Sequence, residues 1–146
     1  THPHPDHHGG AKFLQERYGT RIVMSAADWD VIDRLPGTKP SRDVVATDGQ
    51  LLTLGDTSVR LHITPGHTPG HVVFHDADTQ RAFVGDVLFA GSVGRTDFPG
   101  GDFDTLVSSI TQRLWPMGDD TVFIPGHGPE STIGRERRSN PFVGGT

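Results

Sequence analysis

Cysteine is absent from the 146 residues, so the chain offers neither a disulfide nor a thiolate metal ligand. No apolar run approaches the roughly 20 residues of a membrane-spanning helix, which argues against a membrane partner. Excess positive charge is missing too: 13 Lys and Arg stand against 18 Asp and Glu, a net charge of −5. Without a basic stripe, nucleic acid is not an expected partner. The one basic cluster, Arg135, Arg137 and Arg138, is interleaved with Glu136 and reads as a solvated helix face. Hydrophobic residues are scarce at 33%, whereas Gly (19) and Pro (11) are abundant. That balance fits a loop-rich enzyme whose glycines shape a site, and equally a chain lacking an apolar segment. The length suits one domain over residues 1–146 with a core of its own. No signal-peptide pattern is visible from Thr1 onward, and the expected location is the cytoplasm.

What is present begins at once. The chain opens Thr1-His2-Pro3-His4-Pro5-Asp6-His7-His8-Gly9-Gly10. Within it, His2, His4, Asp6 and His7 form the pattern His-x-His-x-Asp-His. Imidazole nitrogen and carboxylate oxygen are ligands that suit zinc, iron and manganese. In extended chain alternate side chains point the same way. His2 and His4 can therefore reach one metal while Asp6 and His7 turn toward a second. A solvated tail or tag is the plainer reading, but tags are unbroken His runs, and this one is punctuated by Asp6.

Further candidates follow short apolar runs that read as strands: His67 in Pro65-Gly66-His67-Thr68-Pro69-Gly70-His71, Asp86 after Val84-Gly85, and His127 in Pro125-Gly126-His127-Gly128. Loops just past strand ends are where sheet proteins build sites. Periodicity predicts a helix over 11–18 ended by Gly19, a strand over 21–24, and a helix from a Ser25 cap to about 34, with Asp28 assisting the cap. Hairpins are predicted over 50–54 with 57–64, and over 71–75 with 81–84. A long Gly-rich loop spans 85–103, and loops of that length are usually functional. A helix over 104–114 carries Leu106, Ile110 and Leu114 on one face. A strand over 121–124 and a short helix over 132–138 close the chain. Interleaved strands and helices give an α/β or α+β class.

The whole set resembles the metallo-β-lactamase superfamily of metallohydrolases, with the motifs in that family's order over nearly the whole chain. Within it, the second half is similar to the small bacterial glyoxalase II-type hydrolases. The stretches that carry this are Gly66-His67-Thr68-Pro69-Gly70-His71, then Gly94-Arg95-Thr96-Asp97-Phe98-Pro99-Gly100-Gly101-Asp102, and Pro125-Gly126-His127-Gly128-Pro129. The resemblance implies an αβ/βα sandwich of two sheets flanked by helices. It implies two divalent metal ions, zinc before iron or manganese. His2, His4 and His67 would hold one, Asp6, His7 and His127 the other, and Asp86 would bridge them. Asp6 and Asp86 are the catalytic carboxylates it implies. Two such cations ~3.5–4 Å apart bring a shared water toward neutral pKa, which suits hydrolysis of a thioester such as S-lactoylglutathione. Family members carry several strands and a helix before the first motif. The N-terminal strands are therefore expected to be missing from this chain. An upstream segment or a second copy is expected to complete the sandwich.

Other readings stand beside this one. A persulfide dioxygenase using one iron shares the 94–98 stretch and the equivalents of His2, His67 and Asp86. A lactonase or β-lactamase is suggested by Met24-Ser25-Ala26-Ala27-Asp28-Trp29-Asp30, with Asp86 favouring the lactonase. A non-catalytic metal-binding module is the last. Among remaining residues, His8 is read as a minor residue either behind the ligands or at the surface, and His71 as hydrogen-bonded to a ligand or structural in its loop. His62 and His75 are read as surface or satisfied core residues. Arg95 with Asp97 is read as an ion pair tying the long loop, in preference to a substrate contact. Trp29 and Trp115 are read as core or interface aromatics.

Overall fold

The computed structural model describes residues 1–145. Two short helices, α1 (Pro5–His8) and α2 (Ala11–Tyr18), open the chain. Next come β1 (Val23–Ser25), α3 (Ala26–Arg34) and β2 (Val44–Ala46), with β1 and β2 paired in parallel. The strands β3 (Leu51–Leu54), β4 (Thr57–Ile63), β5 (Val72–Asp76) and β6 (Arg81–Gly85) form an antiparallel meander. A hairpin, β7 (Leu88–Phe89) with β8 (Ser92–Val93), lies within the long loop read as irregular. The helix α4 (Phe103–Ser109) runs into a π-helical turn over Ile110–Leu114 and a tight turn at Trp115–Met117. Finally β9 (Val122–Pro125) joins β6 in parallel, followed by β10 (Ser131–Thr132) and α5 (Ile133–Ser139). The main sheet has six strands in the order β10-β9-β6-β5-β4-β3. The interleaved α/β class is the one the sequence implies.

Alternation builds this sheet. In β4, Val59 and Leu61 are buried while Ser58 and Arg60 face solvent; in β6, Ala82 and Val84 are buried between exposed Arg81 and Phe83. Val73, Ala82, Val84 and Phe123 meet Leu106, Ile110 and Leu114, the predicted helix face, together with Ile133. Each such aliphatic side chain contributes about 1.5–3 kcal/mol on burial. The opposite face carries a smaller cluster of Ala46, Val59, Leu61 and Val72. A third cluster holds Met24, Trp29 and Ile32 under α3, with Trp29 Nε1 donating to Val44 O at 2.9 Å. Trp29 and Trp115 are therefore core residues. The predicted helix over 104–114 is helical to its end, α over Phe103–Ser109 and π over Ile110–Leu114, before Pro116, which has no N–H to continue the ladder.

Strand direction places the site. β5 is antiparallel to both β4 and β6, so β4 and β6 run the same way, and β9 runs parallel to β6. The C-terminal ends of β4, β6 and β9 thus open onto one edge, and each is followed by one of the candidate ligands. The start of the chain comes to the same edge, because Val72 N at the head of β5 donates to Thr1 O at 2.9 Å.

Candidate metal centre

The first motif is extended only as far as His4, whose φ of −67° and ψ of 141° make it the residue before α1. Pro5 follows with its fixed φ, suited to the first helical position. His7 N then donates to His4 O at 2.9 Å. The expectation of extended chain throughout is corrected here: the change from strand to helical turn, not simple alternation, sends Asp6 and His7 away from His2 and His4.

The side chains converge across the edge. One potential ligand atom from each of His2, His4 and His67 lies within 4.8 Å of the others, and the same is true of His2, His7 and Asp86, and of Asp6, His7 and His127. His67 Nε2 is 3.1 Å from His4 Nδ1, and His7 Nε2 is 3.2 Å from His127 Nε2. Asp86 Oδ2 sits between these sets, 3.3 Å from His7 Nε2, 3.4 Å from His127 Nε2, 3.5 Å from His67 Nε2 and 3.8 Å from His2 Nε2. Asp6 Oδ2 lies 3.2 Å from His127 Nε2 and 3.3 Å from His7 Nε2. Every ligand candidate read from the sequence is brought into this one cluster.

The donor set fits divalent cations. His67 Nδ1 is 2.7 Å from Arg95 O, an atom that only accepts, so the ring proton is on Nδ1 and the Nε2 lone pair faces His4. That pattern, with the second nitrogen held by a carbonyl, is typical of metal-bound histidine. His2 Nε2 and Asp86 Oδ1 are buried without a hydrogen-bond partner, a costly state unless a cation satisfies them. Burial, reinforced by the neighbouring imidazoles, pushes His2 far below the usual histidine range. Burial lowers His4 as well, although Asp86 and Asp6 oppose the shift. Neutral imidazole is the form that ligates. Gly126, just before His127, is required by close approach: a Cβ there would lie 2.5 Å from His7 Cε1 and would also strike Asp86 Oδ1.

His71 hydrogen-bonds a candidate ligand, as one of its two readings expects, whereas His62 and Asp28 need reassignment. His71 is fully buried; its Nε2 accepts from Asp86 N at 3.2 Å, which puts its proton on Nδ1, facing Thr64 Oγ1 at 3.2 Å. Its ring also stacks on His2, with centroids 4.9 Å apart. His71 therefore holds the backbone of one candidate ligand and the ring of another. His8, read as behind the ligands or at the surface, is buried with both ring nitrogens lacking a partner. His62 is half-buried and its Nε2 is likewise unpartnered, so it is not a satisfied core residue. Asp28 does not assist a cap with its side chain: Ser25 Oγ accepts from Asp28 N, while the carboxylate faces the His67 loop. Arg95 and Asp97 do form the expected ion pair, two bonds of 2.7 Å, and the guanidinium lies 3.9 Å over the Phe98 ring.

An open cleft of about 480 Å³ lies over the cluster, with His4, Asp6, His67, Asp86 and His127 on its floor and Phe89, Val93 and Phe98 on its wall. Phe89 and Val93 were not legible as site residues. They reach the cleft only because the β7–β8 hairpin folds over it, and a lone Phe or Val carries no spacing signal.

Comparison with known proteins gives the family. The family model described as Metallo-beta-lactamase superfamily matches residues 1–127. The hydroxyacylglutathione hydrolase GloC of Haemophilus influenzae is 43% identical, over 98% of this chain and 73% of its own length. Among solved structures, BLEG-1, a B3 metallo-beta-lactamase, superposes with a TM-score of 0.86 at 33% identity, covering 99% of this chain and 75% of its own. TTHA1623, solved in a di-iron-bound form, gives 0.84 at 37%, covering 97% and 74%.

Proposed function

The chain belongs to the metallo-beta-lactamase superfamily of metallohydrolases, and we propose that its cleft hydrolyses an acyl thioester of the hydroxyacylglutathione class. The observation that carries this reading is the position of Asp86. One carboxylate oxygen lies within 3.3–3.5 Å of ring nitrogens from both histidine groups, as a bridging ligand must. In this reading His2, His4 and His67 would hold one ion, Asp6, His7 and His127 the other, and Asp86 would serve both. Zinc is the proposed metal at both positions; the di-iron-bound relative makes iron the alternative to measure.

When bound, the metal pair supplies a nucleophile at neutral pH and a Lewis acid for the substrate carbonyl. The protein's own groups do the rest. Arg95 O fixes the His67 ring through its Nδ1 proton. His71 fixes the Asp86 backbone. Asp6, more than half exposed on the cleft floor, presents its Oδ2 to His127 and His7 and would complete the second donor group. Phe89, Val93 and Phe98 offer an apolar wall against which an acyl group can pack. A thiolate leaves without a strong general acid, so the cleft needs no dedicated donor. The proposed partner is a small-molecule substrate met in the cytoplasm; among the described residues no helix is long and apolar enough to cross a membrane.

Likeness to the B3 metallo-beta-lactamase supports a second reading, hydrolysis of a cyclic amide. The test is to purify the protein, count metals by mass spectrometry, and assay S-lactoylglutathione, a lactone and nitrocefin in parallel. Two metals per chain with thioester turnover is the expected result. Turnover of nitrocefin alone would replace the thioester reading with the lactamase one. One iron per chain with oxygen consumption would mark a dioxygenase, and metal without turnover of any substrate a binding module.

A further inference from the structure

Asp28 is fully buried, does not line the cleft and has no part in the chemistry above. Its oxygens are divided between two donors. Oδ2 accepts from Thr68 Oγ1 at 2.7 Å, and Oδ1 accepts from Gly70 N at 2.8 Å. Both donors are neutral and both belong to the loop between β4 and β5, one residue and three residues after His67. A buried carboxylate is costly to keep, and burial raises its pKa against the lowering effect of these two bonds. The α3 cap itself is made by Ser25 Oγ, so the Asp28 carboxylate is free to serve the loop.

The loop is built to receive it. Gly70 has no side chain because α3 occupies the space: a Cβ there would sit 3.0 Å from both Ala27 Cβ and Asp28 N, and would collide with Ser25 Oγ. The remainder of the loop is held elsewhere. Thr64 N donates to His71 O at 2.7 Å, Ser109 Oγ donates to Pro65 O at 2.7 Å, and Asp102 N donates to Gly66 O at 2.8 Å. These bonds hold the start of the loop and close its ends. Gly66 N also donates to Thr68 O at 3.0 Å, closing the turn around His67. Among the described residues, Asp28 alone supplies side-chain acceptors to the segment just after His67. The His67 ring is fixed at Nδ1 by Arg95 O, and the turn that carries it is braced against α3 by Asp28.

We infer that Asp28 is a positioning residue that holds His67 at the first metal site, acting through Thr68 and Gly70. The inference rests on the reading of His2, His4 and His67 as one ligand group. It does not depend on which substrate is cleaved. Loss of such an outer partner typically costs about 10- to 100-fold in metal affinity. The effect belongs to one site, since Asp6, His7 and His127 come from other segments.

The experiment is cobalt(II) titration followed by the visible spectrum, in two backgrounds. His127→Ala leaves the His2, His4 and His67 group intact, and His4→Ala leaves the Asp6, His7 and His127 group intact. Adding Asp28→Ala is expected to weaken cobalt binding by about 10-fold or more in the first background, and to leave the second nearly unchanged. Thr68→Val removes one of the two bonds with little change in volume, and is expected to act in the same direction more weakly. It carries the test if Asp28→Ala does not fold. Asp28→Asn is expected to restore most of the affinity, because its oxygen still accepts from Gly70 while the Thr68 hydroxyl can turn round to accept. Equal weakening in both backgrounds would reduce Asp28 to a general stability residue and overturn the inference. No weakening in either would do the same. If the parent protein takes up no cobalt, the metal-centre reading fails and the inference with it.

Discussion

Single residues at this centre carry unequal burdens. Asp86 faces four imidazole nitrogens at once, and two cations ~4 Å apart repel unless a shared anion offsets them. Asp86→Ala is therefore expected to abolish turnover by several orders of magnitude and to leave one metal per chain, as counted by mass spectrometry. Full turnover with a single metal would indicate a mononuclear enzyme. His71 carries a different burden, since its Nε2 is the acceptor for Asp86 N in a dry interior. His71→Phe keeps a flat ring beside His2 but strands that amide. An unpaired buried donor costs about 1–3 kcal/mol, to be read as a fall in unfolding free energy by denaturant titration. Unchanged stability would mean that the amide finds another acceptor.

At the scale of elements, α4 links the core to the His67 loop. Asp102 caps it, with Oδ1 accepting from Thr105 N at 2.8 Å, while its own N–H bonds Gly66 O. The bonds from Thr105 hold the Asp102 carboxyl below its ordinary value of 3.8. A carboxyl lowered by folding contributes stability that is fully present above its unfolded value. That contribution is lost as pH falls through the folded one. Asp102→Asn keeps a capping oxygen but does not titrate. The melting temperature of the parent protein should therefore exceed that of Asp102→Asn at neutral pH, and the gap should close as pH is taken below about 4. A constant gap across that range would show that the charge contributes nothing to the cap.

On the scale of the whole molecule, the proposed metals join four stretches of chain that are distant in sequence: residues 2–7, His67, Asp86 and His127. Anything that binds only the folded state stabilises it by mass action, about 2.7 kcal/mol at a hundredfold excess over Kd. Removal of metal by a chelator should thus lower the melting temperature, and excess zinc should restore it. Coincident melts with and without metal would sink the two-metal reading. The direction of the strands makes this linkage possible. Only because β4, β6 and β9 run the same way do their C-terminal ends deliver ligands to one place.

The amino-acid sequence alone was enough for the candidate ligand residues, their order and the α/β class. Histidine and aspartate at strand ends, flanked by glycine, are a local pattern, and alternation and helical spacing are local too. Leu106, Ile110 and Leu114 were legible as one buried face for the same reason. Tertiary structure decided whatever depends on pairs far apart in the chain. It assigned Asp28 to a loop 40 residues away, where local spacing had suggested a cap. It set the His71 nitrogen under the Asp86 amide, and it folded Phe89 and Val93 over the ligands. It also turned the first motif from strand to helix after His4. A carboxylate or an imidazole has the same local signature whether it caps a helix, binds a metal or braces a loop. Its partners are settled only when the sheet brings them within hydrogen-bonding distance.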